Sequence, residues 1–133
     1  PGIGSSFANS NPGVFGVGYA EASDVASLGT FMGNTVDATA VVVRYTRLGD
    51  ADLSGVVSLD DFTRLAGAFG TGTEWSQGDF NYDGAVDLND FTALAANFGL
   101  SAADLGRGSA VPEPASLGLS GAGALALLRR RRA

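Results

Sequence analysis

The segment GDADLSGVVSLDDFTRLAGAFG, residues 49–70, returns 29 positions later as GDFNYDGAVDLNDFTALAANFG, residues 78–99. A duplication constrains the fold before any other feature does, because whatever unit the first copy builds, the second must build as well. The copies agree at 12 of 22 positions: Gly49/Gly78, Asp50/Asp79, Gly55/Gly84, Val57/Val86, Leu59/Leu88, Asp61/Asp90, Phe62/Phe91, Thr63/Thr92, Leu65/Leu94, Ala66/Ala95, Phe69/Phe98 and Gly70/Gly99. These identities fall into two groups that answer to different physics.

The first group spaces oxygen atoms. In a twelve-residue calcium loop the side chains at positions 1, 3, 5 and 12 converge on the ion, position 7 offers its backbone carbonyl, and position 6 is glycine because the chain turns sharply there. Copy one supplies Asp50, Asp52, Ser54 and Asp61, the Val56 carbonyl and Gly55; copy two supplies Asp79, Asn81, Asp83 and Asp90, the Ala85 carbonyl and Gly84. Ser58 and Asp87, at position 9, are candidate additional ligands, direct or through water. Val57 and Val86 at position 8 are expected to face inward and let the two loops touch.

The second group builds a helix after each loop. Leu59, Phe62, Leu65, Ala66 and Phe69 recur at helical spacing, as do their counterparts in copy two, so each helix is expected to carry one apolar stripe and to stop at Gly70 or Gly99. Ser58 and Asp87 stand at the N-cap, three residues before Asp61 and Asp90. Acidic residues ahead of a helix often serve only as caps and dipole complements. A cap, however, asks for no Asp at position 1, no oxygen side chains at 3 and 5, and no glycine at 6, all twice. The spacing therefore predicts two Ca2+ ions, one per loop.

Neither loop is preceded by a helical pattern: VVVRYTRLG leads into the first and GTGTEWSQG into the second. Two loop-helix units with Asp at position 12 resemble the type I dockerin module, a duplicated calcium-binding F-hand repeat. The resemblance implies a small all-α pair over residues 49–99, with antiparallel helices and the loops at opposite ends. It also implies docking onto a cohesin-like protein in secreted, often polysaccharide-degrading, systems. Where cellulosomal dockerins often carry a Ser-Thr recognition pair at positions 10 and 11, this chain has Leu59 and Asp60, or Leu88 and Asn89. Asp60, Asn89, Thr63 and Thr92 are the candidate partner contacts.

Composition narrows the chemistry. The absence of Cys and His removes disulfides, the usual zinc and haem sites, thiol nucleophiles and any Ser-His-Asp triad. Fourteen acidic residues stand against eight arginines, four of them at the end, so the net charge of −6 conceals a body of 4 − 14 = −10. Such a body disfavours nucleic acid, and carboxylates placed as ligands give no indication of an enzyme. Residues 49–99, without disulfides, fall below the roughly 70–80 residues at which a single core normally suffices, so metal is expected to act as a structural staple.

The flanks differ from the repeat. Residues 1–48 read as the last strands of a larger β domain, with VFGVGYA (residues 14–20) and TAVVVRYTR (residues 39–47) as strands and a helical turn capped by Ser23 between them. Residues 100–110 read as a linker. In residues 111–133, Pro112, Glu113 and Pro114 precede an uncharged stretch, residues 115–128, and then Arg129, Arg130, Arg131 and Arg132. As a hydrophobic helix that stretch is about 21 Å long at 1.5 Å per residue, short of a bilayer core of about 30 Å, with the arginines on the cytoplasmic side. The order resembles the PEP-CTERM sorting signal, which implies an exosortase and transient membrane anchoring.

The expected architecture is thus mixed: a β segment, a small all-α calcium-binding pair and a C-terminal hydrophobic helix. The expected function is a calcium-dependent docking module on an exported bacterial protein. The alternative is a calcium-rigidified spacer with no partner.

Overall fold

The computed structural model describes residues 5–26 and 29–105. Along the chain, α1 (Ser6–Ser10) leads into β1 (Phe15–Glu21), α2 (Ala22–Val25), the short strands β2 (Thr30–Phe31) and β3 (Asn34–Thr35), β4 (Val41–Arg47), and then α3 (Leu59–Ala68) and α4 (Leu88–Asn97). Two 3₁₀ turns, Trp75–Gln77 and Ala102–Leu105, complete the order.

β1 and β4 form an antiparallel ribbon in which Phe15 faces Arg47, Gly18 faces Arg44 and Glu21 faces Val41. The β-branched and aromatic runs that predict these strands do form them. β2 and β3 make a second two-stranded sheet over Met32 and Gly33, whose φ values of 50° and 80° suit a tight hairpin turn. The helical turn α2 is real, but its N-cap is Glu21, which makes no side-chain cap bond; Ser23 lies inside the helix.

A two-stranded ribbon is marginal on its own, and this one is held by the repeat. The Trp75 ring, 1% exposed, lies against β1 at Gly16 and Gly18. A Cβ at Gly18 would come within 2.5 Å of both the indole Nε1 and Leu53 Cδ2, and at Gly16 within 2.9 Å of the indole ring and Leu48. The glycines of β1 therefore open the slot that the tryptophan fills. Ala20, Ala22 and Val42 from the ribbon side join Leu53, Val57, Leu65, Trp75, Phe80, Val86 and Leu94 in one buried cluster.

Within the repeat the two halves are cross-tied by a pseudo-twofold. Gly49 packs on Leu94 and Gly78 packs on Leu65, each with its would-be Cβ about 3 Å or less from the leucine. Val57 donates to Leu100 O and accepts from Gly99 N, while Val86 donates to Gly72 O and accepts from Gly70 N. The start of each helix is thus fastened to the end of the other. Val57 and Val86 do face inward, both 0% exposed, but they bond to these post-helix segments.

The expectation of a small all-α dockerin-like pair is corrected. The described residues hold two small antiparallel sheets and a few short helices, and the ribbon shares its core with the repeat. The physical reason lies in the helices. Of each apolar stripe only Leu65 or Leu94 is buried, whereas Leu59, Phe62 and Phe69, like Leu88, Phe91 and Phe98, stay exposed. Two such helices bury too little between them, and Trp75 with the ribbon supplies the rest. Among the described residues no helix is long and apolar enough to cross a membrane; the stretch at residues 115–128 lies outside them.

Candidate metal centre

Loop 1, residues 50–61, begins three residues after β4 ends. The Asp50 carboxylate accepts from the amides of Ser54 at 3.0 Å and Gly55 at 2.8 Å, and from the Thr46 hydroxyl. Asp52 Oδ1 accepts from the Ser54 amide at 2.9 Å. Asp61 reaches back from the first turn of α3, accepting from the Asp52 amide at 3.0 Å and the Ser58 amide at 2.7 Å. This folding-back brings carboxylate oxygens of Asp50, Asp52 and Asp61 within 4.8 Å of one another. The Ser54 hydroxyl lies 3.2 Å from the Val56 carbonyl.

Loop 2, residues 79–90, repeats the hydrogen-bond pattern, but among the described residues only the loop 1 carboxylates converge this closely. The Asp79 carboxylate accepts from the Asp83 amide at 3.2 Å and the Gly84 amide at 2.9 Å, and Asn81 Oδ1 accepts from the Asp83 amide at 2.9 Å. Asp90 accepts from the Phe80 and Asp87 amides, both at 2.9 Å. Asp83 Oδ1 accepts from the Ala85 amide at 3.0 Å. In both loops the residue at position 4, Leu53 or Tyr82, sits at φ 57°, and the glycine at position 6 is also left-handed, at 94° and 86°. The left-handed region is costly for Leu and Tyr, so its occurrence at the same place twice reflects one imposed loop geometry.

Ser58 and Asp87 are the N-caps, each closing a capping box with Asp61 or Asp90. The Ser58 hydroxyl and the Asp87 carboxylate are engaged in those caps, accepting from the Asp60 and Asn89 amides. Each ring carboxylate of Asp50, Asp61, Asp79 and Asp90 spends bonds on amides yet keeps lone pairs for a further partner. An all-oxygen donor set of this kind suits a hard cation such as Ca2+ and disfavours soft metals.

The electrostatics of the loops differ. Burial drives Asp50 up to about 7, only partly opposed by the Thr46 hydroxyl. Burial also raises Asp61 and Asp79. Burial pushes Asp52 upward too, but hydrogen bonds from Ser54 and the contact with Asp50 outweigh it and bring its pKa below the ordinary value.

Several residues around loop 1 carry no signal in the sequence pattern. Thr46 donates to Asp50, and the Trp75 indole donates to the Asp50 carbonyl at 2.8 Å. Arg44 donates to the Leu53 carbonyl at 2.7 Å and lies so close over Gly55 that a Cβ there would meet its guanidinium at 2.2 Å. All three come from outside the twelve-residue frame.

The candidate partner contacts Asp60, Asn89, Thr63 and Thr92 are exposed on α3 and α4. The two threonine hydroxyls donate to the helix carbonyls of Leu59 and Leu88, at 2.9 and 2.8 Å. Pro112, Glu113, Pro114 and the four terminal arginines lie outside the described residues.

No curated protein and no solved structure matches the chain. A dockerin-like module accordingly finds no support in the matches. Residues 110–132 match the family model of the PEP-CTERM protein-sorting motif, the signal of an exported protein that exosortase recognises and that is held transiently at the membrane.

Proposed function

We propose that residues 50–61 and 79–90 each bind one Ca2+ and that the unit they fold is a calcium-rigidified module of an exported protein, set just ahead of its sorting signal. It is a binding and structural element, not an enzyme. The observation that supports this reading is the recurrence, in both loops, of oxygen side chains at positions 1, 3, 5 and 12 and of the same amide bonds to the Asp at position 1, with left-handed backbone at positions 4 and 6. Bound calcium neutralises carboxylates that otherwise repel, so that its binding free energy becomes folding free energy. Asp50, Asp52, Ser54, Asp61 and the Val56 carbonyl hold the first ion; Asp79, Asn81, Asp83, Asp90 and the Ala85 carbonyl hold the second.

Isothermal titration of the full chain with Ca2+ is expected to give two bound ions, and a chelator is expected to lower the thermal midpoint. No heat of binding together with an unchanged midpoint would overturn the reading.

A second reading, docking onto a partner protein, is favoured by the apolar residues left outside on both helices, Leu59, Phe62 and Phe69 with Leu88, Phe91 and Phe98. Phe62 and Phe91 touch edge to face with ring centroids 6.2 Å apart, which joins the two stripes. Capture of a secreted cohesin-like protein by the full chain in calcium, abolished by chelator, supports docking. Capture of nothing in either condition leaves the rigid spacer.

A further inference from the structure

We propose that the two loops are sockets for strand β1, so that calcium binding and seating of the β1–β4 ribbon are thermodynamically coupled. This inference rests on the calcium reading above and extends it to the part of the chain outside the repeat.

The coupling runs through position 4. In each loop that residue is flanked by the oxygen side chains at positions 3 and 5, so gathering those oxygens fixes the direction in which it points. Leu53 and Tyr82, both at φ 57°, are both delivered to β1. Leu53, 1% exposed, lies beneath Gly18. The Tyr82 hydroxyl donates to the Val17 carbonyl at 2.7 Å, and its ring stacks on Tyr19 with centroids 5.5 Å apart and planes 9° apart. Consecutive residues of one strand, Val17, Gly18 and Tyr19, are therefore met from both loops.

Further contacts fasten the same surfaces. Trp75 fills the slot at Gly16 and Gly18 while donating to the Asp50 carbonyl, and its ring packs 5.5 Å from that of Tyr82. From β4, Arg44 holds the Leu53 carbonyl and Thr46 bonds to the Asp50 carboxylate. Each of these bonds ends on a loop atom whose place depends on the convergence of Asp50, Asp52 and Asp61, or, in loop 2, on the amide bonds gathered by Asp79, Asn81 and Asp90. When those carboxylates repel and separate, the left-handed turn at position 4 loses what imposes it, and both sockets lose their shape. By linkage the converse also holds: a ribbon that cannot seat must lower the affinity of the loops for calcium by the same factor.

The test is calorimetric titration of Ca2+ into the full chain carrying Gly18→Val or Tyr82→Phe. Gly18→Val places a side chain where Leu53 and Trp75 lie, and is expected to weaken calcium binding at least tenfold while helix content in saturating calcium is retained. Tyr82→Phe removes one hydroxyl that lies outside the ligand set, and is expected to weaken the loop 2 ion severalfold and to leave loop 1 nearly unchanged. If Gly18→Val shows no helix in saturating calcium, Tyr82→Phe alone decides. Wild-type affinity in a folded Gly18→Val, or in Tyr82→Phe, overturns the coupling while the calcium reading stands. If the wild-type chain binds no calcium, the reading on which the coupling rests fails with it.

Discussion

Loops 1 and 2 share a register and a bonding scheme but live in different surroundings. Loop 1 is built into the protein: Asp50, Gly55 and Asp61 are buried, with Thr46, Arg44 and Trp75 packed against it. Loop 2 buries its first and last carboxylates, Asp79 and Asp90, as deeply, but its middle is open: Asn81, Tyr82, Asp83, Gly84 and Ala85 are all exposed. At positions 1, 3, 5 and 12 each loop has three carboxylates, with Asp52 opposite Asn81 and Ser54 opposite Asp83, and the second loop adds Asp87 at position 9 where the first has Ser58. The duplicated sequence thus fixes the loop geometry, whereas the neighbours set its electrostatics. The buried copy has the raised Asp50, for which a proton competes with a cation.

The largest effect is expected from removing what the loops have in common. With each site held at 100 times its dissociation constant, two ions contribute about 5 kcal/mol of stability. The Asp50→Ala, Asp79→Ala double variant is expected to lose that contribution. Its thermal midpoint should no longer respond to chelator; a response equal to that of the parent chain would break the equivalence of the two loops as metal sites.

The next effect separates the loops by pH. Asp50 is raised in the folded state, to about 7 from an ordinary 3.8, so between those values the folded chain binds more protons than the unfolded one. Without calcium, stability is therefore expected to fall as pH rises from about 4 to 7, by on the order of 3 kcal/mol. In excess calcium the order reverses, since the ion requires the ionised form. Urea titrations at pH 5 and 7.5, with and without chelator, measure this. The calcium-free slope should shrink in Asp50→Asn more than in Asp79→Asn, and equal shrinkage would remove the electrostatic distinction.

A smaller effect ranks the affinities. Loop 2 is expected to bind calcium about tenfold more tightly, so Asp50→Ala should retain the stronger site and Asp79→Ala the weaker. Calorimetric titration showing the opposite order would invert the comparison. Smallest is the gain from giving loop 1 a fourth carboxylate among positions 1, 3, 5 and 12: Ser54→Asp is expected to tighten that loop by severalfold, and no change would show that the buried surroundings, not the carboxylate count, limit it.

How much of this was legible depended on the range over which each signal acts. The loops, the capping boxes and the helix starts follow from residues within a dozen positions of one another, and the structure places Ser58 with Asp61 and Asp87 with Asp90 as that spacing predicts. β1 and β4 were likewise legible from local β-branched and aromatic content. Burial was not. The apolar stripe of α3 recurs at helical spacing from Leu59 to Phe69, yet of it only Leu65 is buried, with Gly78 of the opposite half packed against it. Trp75 sits in a segment with no period at all and becomes the centre of the core, in a slot made by Gly16 and Gly18 some sixty residues away. A glycine in a strand announces that something approaches, not what. The all-α expectation failed for that reason: it was drawn from the repeat alone, and the partner of the repeat was the ribbon.

The cross-ties of Val57 have a consequence for the order of assembly. Loop 1 comes first in the chain, but its position 8 residue is bonded to Gly99 and Leu100, and the Gly55 carbonyl accepts from Ala102. During vectorial delivery of the polypeptide the earlier loop is accordingly the later one to be closed. Its enclosure waits until residue 102 has emerged, and the sorting motif begins at residue 110. The unit can therefore reach its finished form only once residue 102 is in place, a few residues ahead of the sorting motif.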